Sequence, residues 1–333
     1  MDNTQTIQPY KETFSIRRFA RRNGTQIGII SVFFALWIIF IVSAPDTFLS
    51  PMIYKAFMST IPFFAIMAMP LTLAVIAGEI DLSFTSIMAM GMIIFIIVYD
   101  ATSSVWVAFL ASLATGLIAG FLNGILVVKL GIPSLVATIG TQFFWRGAVL
   151  VLSQGKSGTL VYTKESLLHP ILVGKIGGEI PMQMIWLIII TIAAWALLNR
   201  HRFGAHIYLI GDNENSANLM GINSGAVRII VFSMIGVVSA FAGVIASLYV
   251  TYFWPSLGGG YLLRTLASVF LGGTSVFGGT GTILGTFIGA FIIGSIEAAT
   301  VAVGLTGFWT QLIYGFIIVS SVTMHAFLRK RLK

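Results

Sequence analysis

The chain has 333 residues, 57% of them hydrophobic and only 9% charged, with a formal net charge of +8 and a mean hydropathy of +0.97. Soluble domains carry about 25% charged residues, so a water-soluble globular protein is excluded and an integral membrane protein is indicated. No cysteine is present, which removes disulfides and thiolate metal sites, and the positive charge sits in tails and loops rather than in a patch for nucleic acid.

Residues 1–24 are polar and basic, and the apolar run that follows continues to spanning length. No cleavable signal peptide is expected; the first helix serves as its own insertion signal. A spanning helix needs about 20 apolar residues. Runs of that kind lie at 25–43, 52–77, 83–99, 105–128, 133–152, 183–199, 228–250, 280–301 and 308–327, and a shorter piece at 262–272 brings the total to ten.

Lysine and arginine placement orients them. Threaded from a cytoplasmic N-terminus, ten segments put thirteen of the nineteen basic residues on one side. These are Lys11, Arg17, Arg18, Arg21, Arg22, Lys129, Arg200, Arg202, Arg228, Arg329, Lys330, Arg331 and Lys333. Lys55, Lys156, Lys164 and Lys175 fall opposite. The positive-inside rule then places both termini in the cytoplasm of a bacterial-type inner membrane. The expected division is a cytoplasmic tail at 1–24, a transmembrane permease body at 25–328 and a tail at 329–333. An external loop at 153–182 and an internal loop at 200–227 interrupt the body.

Along the chain, the first unusual feature is Glu79-Ile80-Asp81-Leu82-Ser83, two carboxylates flanked by uncharged stretches. Ionisable groups at membrane depth cost roughly 2.5–3.5 kcal/mol each on insertion scales and tend to face a cavity and act there. Gly78 before them and Pro70 further back predict a broken helix. Asp81 has a second reading, as a carboxylate that caps the next helix through its free N–H groups. Asn123 reads as an interhelical hydrogen-bond donor, and Arg146 as a structural residue near the outer end of its helix.

Gly155-Lys156-Ser157 is no P-loop, since that pattern requires glycine where Leu150 stands. The histidines (His169, His201, His206 and His325) lack convergent partners, so no metal site is expected. In the internal loop, Asn213–Met220 reads as a short amphipathic helix capped by Asp212 and Asn213. The run Leu271–Gly279 is too glycine-rich for a plain helix, and non-helical backbone survives at this depth only where protein or water covers it. It mirrors the first break: Gly78 and Gly272, and Gly91 and Gly285, share an offset of 194. Paired interrupted segments point to a transporter's binding region. Gly281, Gly285 and Gly289, four apart, read as close-packing positions. Glu297 reads equally as a pathway or a packing residue.

Several segments together resemble one family. Ala77-Gly78-Glu79-Ile80-Asp81-Leu82-Ser83 is similar to the G-G-I-D-L-S signature of the permease subunits of monosaccharide ABC importers, the ribose/xylose/arabinose branch. Phe203–Asn213 with Ala217 and Gly221-Ile222 resembles that family's cytoplasmic loop. Leu271–Ser275 through Gly278–Thr282 and Gly285 resembles its C-terminal glycine signature, and Ile132–Thr138 with Arg146-Gly147 matches as well.

The resemblance implies an all-α polytopic membrane protein with broken helices and a vitamin-B12-importer-type permease fold. Its partners would be ABC-type ATPase subunits, an external sugar-binding protein and a second permease copy or paralogue, in membrane lipid and without nucleic acid. No cofactor is expected in this chain; ATP and Mg would bind the ATPase. Asp212, Asn213, Glu214, Asn215, Ala217, Asn218, Met220 and Gly221 would form the coupling helix that docks on that ATPase. Glu79, Asp81, Ser83, Arg264, Thr265, Gly272, Gly273 and Thr274 would line or shape the substrate pathway.

Two departures stand out. The family usually has glycine at the position of Glu79, and a Glu-Leu-Asp run where this chain has Leu262-Leu263-Arg264. An acid gained in one half and a base in the other suggest that Glu79 and Arg264 pair across the pathway. The function expected is alternating-access import of a monosaccharide or related polyol, driven by a partner ATPase. The alternatives are an ion-coupled secondary transporter using Glu79 and Asp81, and a nucleoside- or autoinducer-type importer of the same architecture. No nucleophile–base constellation suggests an enzyme.

Overall fold

The computed structural model describes residues 24–331. Of the tails expected at 1–24 and 329–333, residues 1–23 and 332–333 lie outside the described residues. Helices dominate because backbone groups without water must be paired within their own segment. In chain order they are α1 (Gly24–Ser43), α2 (Pro45–Phe48), α3 (Pro51–Thr60), α4 (Pro62–Ile76), α5 (Phe84–Thr102), α6 (Val105–Val128) and α7 (Ser134–Ser153). Next come the short α8 (Leu168–Val173), then α9 (Met182–Arg200), α10 (Arg202–Asp212), α11 (Glu214–Leu219) and α12 (Ser224–Val250). The last are α13 (Tyr261–Leu271), α14 (Ile283–Ala302) and α15 (Phe308–Arg331).

Among the described residues, eight helices are long and apolar enough to cross a membrane, and the bent pair α3–α4 makes a ninth span. Each of the ten apolar runs read from the sequence holds one helix or that pair. The chain is a polytopic all-α membrane protein. The tenth run is different in kind: α13 has 11 residues, about 16 Å of helix against a hydrocarbon core of about 30 Å. Its flanks complete the passage. Tyr252-Phe253 pairs with Gly158-Thr159 of the 153–182 loop, whereas Gly279 meets the far end of α4.

α4 is the centre of the bundle. All 15 of its residues are buried, packed among α9, α12, α13 and α14. The segment bends by 52° between α3 and α4, where Pro62 opens α4; a proline at a helix start sacrifices no intrahelical bond. Pro70 lies inside α4 without ending it. The helix ends instead at Ala77-Gly78, where Gly78 takes φ +85°, a conformation that costs glycine little.

Small residues bring α6 against α12. A Cβ on Gly236 would stand 2.0 Å from the Gly116 carbonyl oxygen, and one on Gly120 would stand 2.2 Å from that of Phe232. Such backbone contact is how helices associate where lipid tails are as apolar as leucine. The peripheral helices turn apolar side chains outward, among them Val42, Phe143 and Phe316.

The 153–182 loop is ordered by short pairings. Besides the strand with Tyr252-Phe253, Lys175-Ile176 and Ile180-Pro181 form a hairpin. Tyr162 stacks on Tyr99 at 4.0 Å, and Lys55 forms an ion pair with Glu179. Arg146 has the structural role read from the sequence: its guanidinium donates to the carbonyls of Pro255, Thr85 (3.1 Å) and Leu257 (2.9 Å), fixing the 252–260 connection over α5.

Candidate functional site

The two interrupted segments meet at the end of the bundle that carries α10 and α11. The Gly279 N–H donates to the Ile76 carbonyl at 2.8 Å, so the glycine turn after α13 closes directly on the last residue of α4. α10 wedges against both. A Cβ at Gly211 would lie 1.7 Å from the Ile76 oxygen and 2.6 Å from the Gly279 nitrogen; only glycine fits there. Tyr208, also on α10, donates its hydroxyl to the Gly281 carbonyl at 2.8 Å. Gly278 and Gly279 take φ values of +80° and +73°, which turn the backbone back toward α4. Of the three stacked glycines, Gly285 and Gly289 abut the backbone of Gly272 and Ser268, and Gly281 abuts Thr274 and Ile76.

Inside the first break, Asp81 is fully buried and organises the turn. Its Oδ1 accepts from the Ser83 N–H and the Ser83 hydroxyl, both at 2.7 Å. Asn123, on α6, donates to the Ser83 hydroxyl oxygen at 2.7 Å and to Asp81 Oδ2 at 3.4 Å. A buried carboxylate with this many donors is satisfied where it stands, and the helix-initiating reading of Asp81 is the one that the geometry matches. The next peptide is held from α7. Ile80 N–H donates to Ser134 Oγ at 3.2 Å, and Thr138 donates to the Ile80 carbonyl at 3.3 Å.

Glu79 does not pair with Arg264. Its Oε1 lies 3.0 Å from Nε of Arg228, near the start of α12, in a charge contact whose angle falls short of a hydrogen bond. The same guanidinium donates through Nη2 to Glu214 Oε2 at 2.7 Å, and Glu214 Oε1 accepts from the Ser224 hydroxyl at 3.0 Å. Arg264 pairs instead with Glu297 on α14 at 2.7 Å. The reason is topological: α13 and α14 are joined by the glycine turn and pack side by side, so Glu297 is Arg264's neighbour and Glu79 is not. Thr265 is buried and donates to the Phe64 carbonyl at 3.4 Å. Ser83 and Thr274 are likewise buried, and Gly272 packs against Gly285 and Thr286.

Glu79, Arg228 and Glu214 face a cavity of about 450 Å³, whose other walls include Val127, Val128, Ser134 and Ser224. Among the described residues no cluster of three or more His, Cys, Asp or Glu could hold a metal ion.

The internal loop holds the short helix expected after Asn213, but Asp212 is not its cap: it is the last residue of α10, a helix the sequence did not suggest, and Asn213 alone caps α11. Asn213 Oδ1 accepts from the Ser216 N–H at 2.9 Å and opens α11. Ala217 is buried against the bundle, whereas Asp212, Asn215, Asn218, Met220 and Gly221 are exposed. Leu219 is 89% and Met220 60% exposed, an apolar tip on a polar loop. Sequence reading passed over Arg228 as one more orienting charge and saw Ser134 and Thr138 only within a motif. Arg228 carried one usable signal: it is a lone cation at the mouth of an apolar run, with Glu214 upstream as its nearest acid.

The family model described as "Branched-chain amino acid transport system / permease component" matches residues 53–322. The "Autoinducer 2 import system permease protein LsrC" of Yersinia pestis (strain Pestoides F) is 32% identical over 309 residues, covering 92% of this chain and 86% of that protein. The protein of the same name from Yersinia pseudotuberculosis serotype O:1b (strain IP 31758) is 33% identical with the same coverage.

Proposed function

Because this chain belongs to the family of permease components described for branched-chain amino acid transport systems, we propose that it is the transmembrane subunit of an ATP-driven importer for a small sugar-like molecule. Relatives named for autoinducer 2 import favour autoinducer 2 or a related small molecule, with a monosaccharide or polyol as the neighbouring possibilities. ATP and Mg would be held by a separate ATPase subunit, and an external binding protein would deliver the substrate.

The observation that carries this reading is the three-way junction of α4, the glycine turn and α10. Movement of the α10–α11 loop is transmitted to both interrupted segments through backbone contact, without a flexible side chain between them. In this reading α11, with Leu219 and Met220 at its tip, docks on the ATPase from the cytoplasm, and both termini lie on that side. Asp212, Asn213, Glu214, Asn215, Ala217, Asn218 and Gly221 shape the docking loop.

Glu79, Asp81, Ser83, Gly272, Gly273 and Thr274 shape the pathway's inner end rather than contact substrate in this conformation, and Thr265, bonded to Phe64 near the other end of α4, shapes its wall there. Arg264 is the exception. Arg264 and Glu297 side chains are 26% and 45% exposed within apolar helices, and charges do not face lipid tails. Protein or water covers them in the working assembly, which supports a pathway beside α13 and α14 shared with a second permease copy or paralogue.

The test is uptake into proteoliposomes holding this chain with an ABC-type ATPase subunit that co-purifies with it, together with the external binding protein. ATP-dependent uptake that survives an uncoupler supports the proposal. Uptake that follows an ion gradient and ignores ATP would replace it with the secondary-transporter reading.

A further inference from the structure

We propose that Arg228 is a positioning residue that ties the docking helix α11 to the broken segment at Glu79, so that ATPase-driven movement of α11 is coupled to opening of the pathway. The inference rests on the permease reading above and adds a specific path to it.

Three observations converge on this guanidinium. It contacts carboxylates from two different elements at once, Glu79 at 3.0 Å and Glu214 at 2.7 Å. Those elements are the break that follows the buried central helix and the first residue of the docking helix. Among the described residues, no other cation pairs with either acid. The environment also grades from closed to open: side-chain exposure is 9% at Glu79, 18% at Arg228 and 40% at Glu214. The inner pair is shielded from salt and the outer pair is not, so the outer contact is the one that can be made and broken cheaply.

The cluster is not a packed, rigid tie. Two carboxylates share one guanidinium, and the cavity of about 450 Å³ beside them leaves the arginine room to follow either partner. Removing Arg228 leaves two carboxylates facing each other without a counter-charge, which drives the break and the docking helix apart. Glu79 is anchored on its other side, because Ser134 and Thr138 hold the adjoining Ile80 peptide. A pull on Glu79 therefore reaches the entrance of α5 and the start of α7 together. Arg228 itself rides on α12, whose glycine-mediated contact with α6 makes the two helices move as one body.

The decisive experiment uses the whole importer reconstituted in liposomes: this chain, its ATPase, its second permease subunit if distinct, and the binding protein loaded with the substrate identified by uptake. ATP hydrolysis and substrate moved per ATP are both measured. In Arg228→Gln the complex is expected to assemble and hydrolyse ATP at its basal rate, while substrate moved per ATP falls roughly five- to tenfold, the size of an ordinary coupling energy. Glu79→Gln and Glu214→Gln should lower the same ratio. Glu79→Gln/Arg228→Gln should be no worse than Arg228→Gln alone, and Arg228→Lys should recover part of the ratio.

A wild-type ratio in Arg228→Gln overturns the proposal. So does a parallel fall of hydrolysis and transport with wild-type ratios in both glutamate variants, because that outcome means only lost assembly. If the wild-type chain itself forms no complex with an ATPase, the permease reading fails, and this result is distinguishable from failure of the tie.

Discussion

Gly279 gives its backbone hydrogen bond to Ile76 at 2.8 Å, and Gly211 fills the angle between them so closely that a single methyl group would collide with both. Two breaks from opposite halves of the chain are thereby locked to one loop helix. Gly211→Ala is expected to destabilise the fold by about 1–3 kcal/mol, the cost of overpacking a filled site, and to abolish transport. Gly140→Ala is the control: that glycine has no atom within 4 Å of its prospective Cβ. Thermal unfolding of the two detergent-solubilised variants measures the difference, and equal melting temperatures would refute the locked junction.

Asp81 is expected to be a structural acid. Asp81→Ala strands the Ser83 N–H and the Ser83 hydroxyl without their acceptor, at a cost of about 1–3 kcal/mol for each group left unpaired, while Asn123 keeps its 2.7 Å bond to the Ser83 hydroxyl oxygen. Asp81→Asn retains an acceptor oxygen and should lose much less. Melting temperatures test the ranking, and uptake by Asp81→Asn should still depend on ATP. An Asp81→Asn protein that is as stable as wild type yet has lost ion-gradient-driven uptake would make Asp81 a carrier instead.

The Arg264–Glu297 pair offers a charge-swap test. Either single neutralisation should cost less than the ~3–5 kcal/mol of breaking a fully buried pair, because both side chains are partly exposed. Arg264→Glu/Glu297→Arg should recover most of the transport lost in Arg264→Glu. Glu79→Arg/Arg264→Glu should recover nothing, since those residues do not touch; recovery there would contradict the observed pairing.

At the opposite end, Lys55 beside Glu179 holds that carboxyl below the ordinary glutamate range, first through a hydrogen bond and then through its charge. A group whose folded-state pKa is depressed contributes stability above its unfolded pKa, near 4.5, and loses it as pH falls through the lower folded value. Both side chains are largely exposed, so the effect is local. Limited proteolysis of the 153–182 loop should quicken as the pH is lowered below about 4.5. Glu179→Gln should cleave faster at neutral pH and respond less to acid; an unchanged acid response would discard the tether.

Span positions were legible in the sequence because a bilayer imposes a length that a run of apolar residues either meets or does not. Helix α11 was legible because Asn213 is both a capping side chain and the edge of a composition change. The two breaks were legible through Gly78 and Gly278-Gly279, whose positive φ angles are the reason glycine stands there. Partnerships across the bundle were not. Glu79 and Arg264 were matched by charge alone, but an ion pair forms between neighbours, and which helices are neighbours is decided by surfaces such as Gly116 on Gly236 rather than by charge. Arg228 was hidden for a related reason: a cation at the foot of a spanning helix already has a sufficient explanation in membrane orientation.

The junction at Gly211 is built from main-chain atoms, which every substitution except one at the glycines themselves leaves in place. Side chains beside α13 and α14 can therefore vary in shape and charge without altering the backbone contacts of Gly211, Ile76 and Gly279. If Arg264 and Glu297 line the pathway as proposed, cargo preference and drive are separable, and changing those side chains is expected to alter specificity while the joint at Gly211 is unchanged.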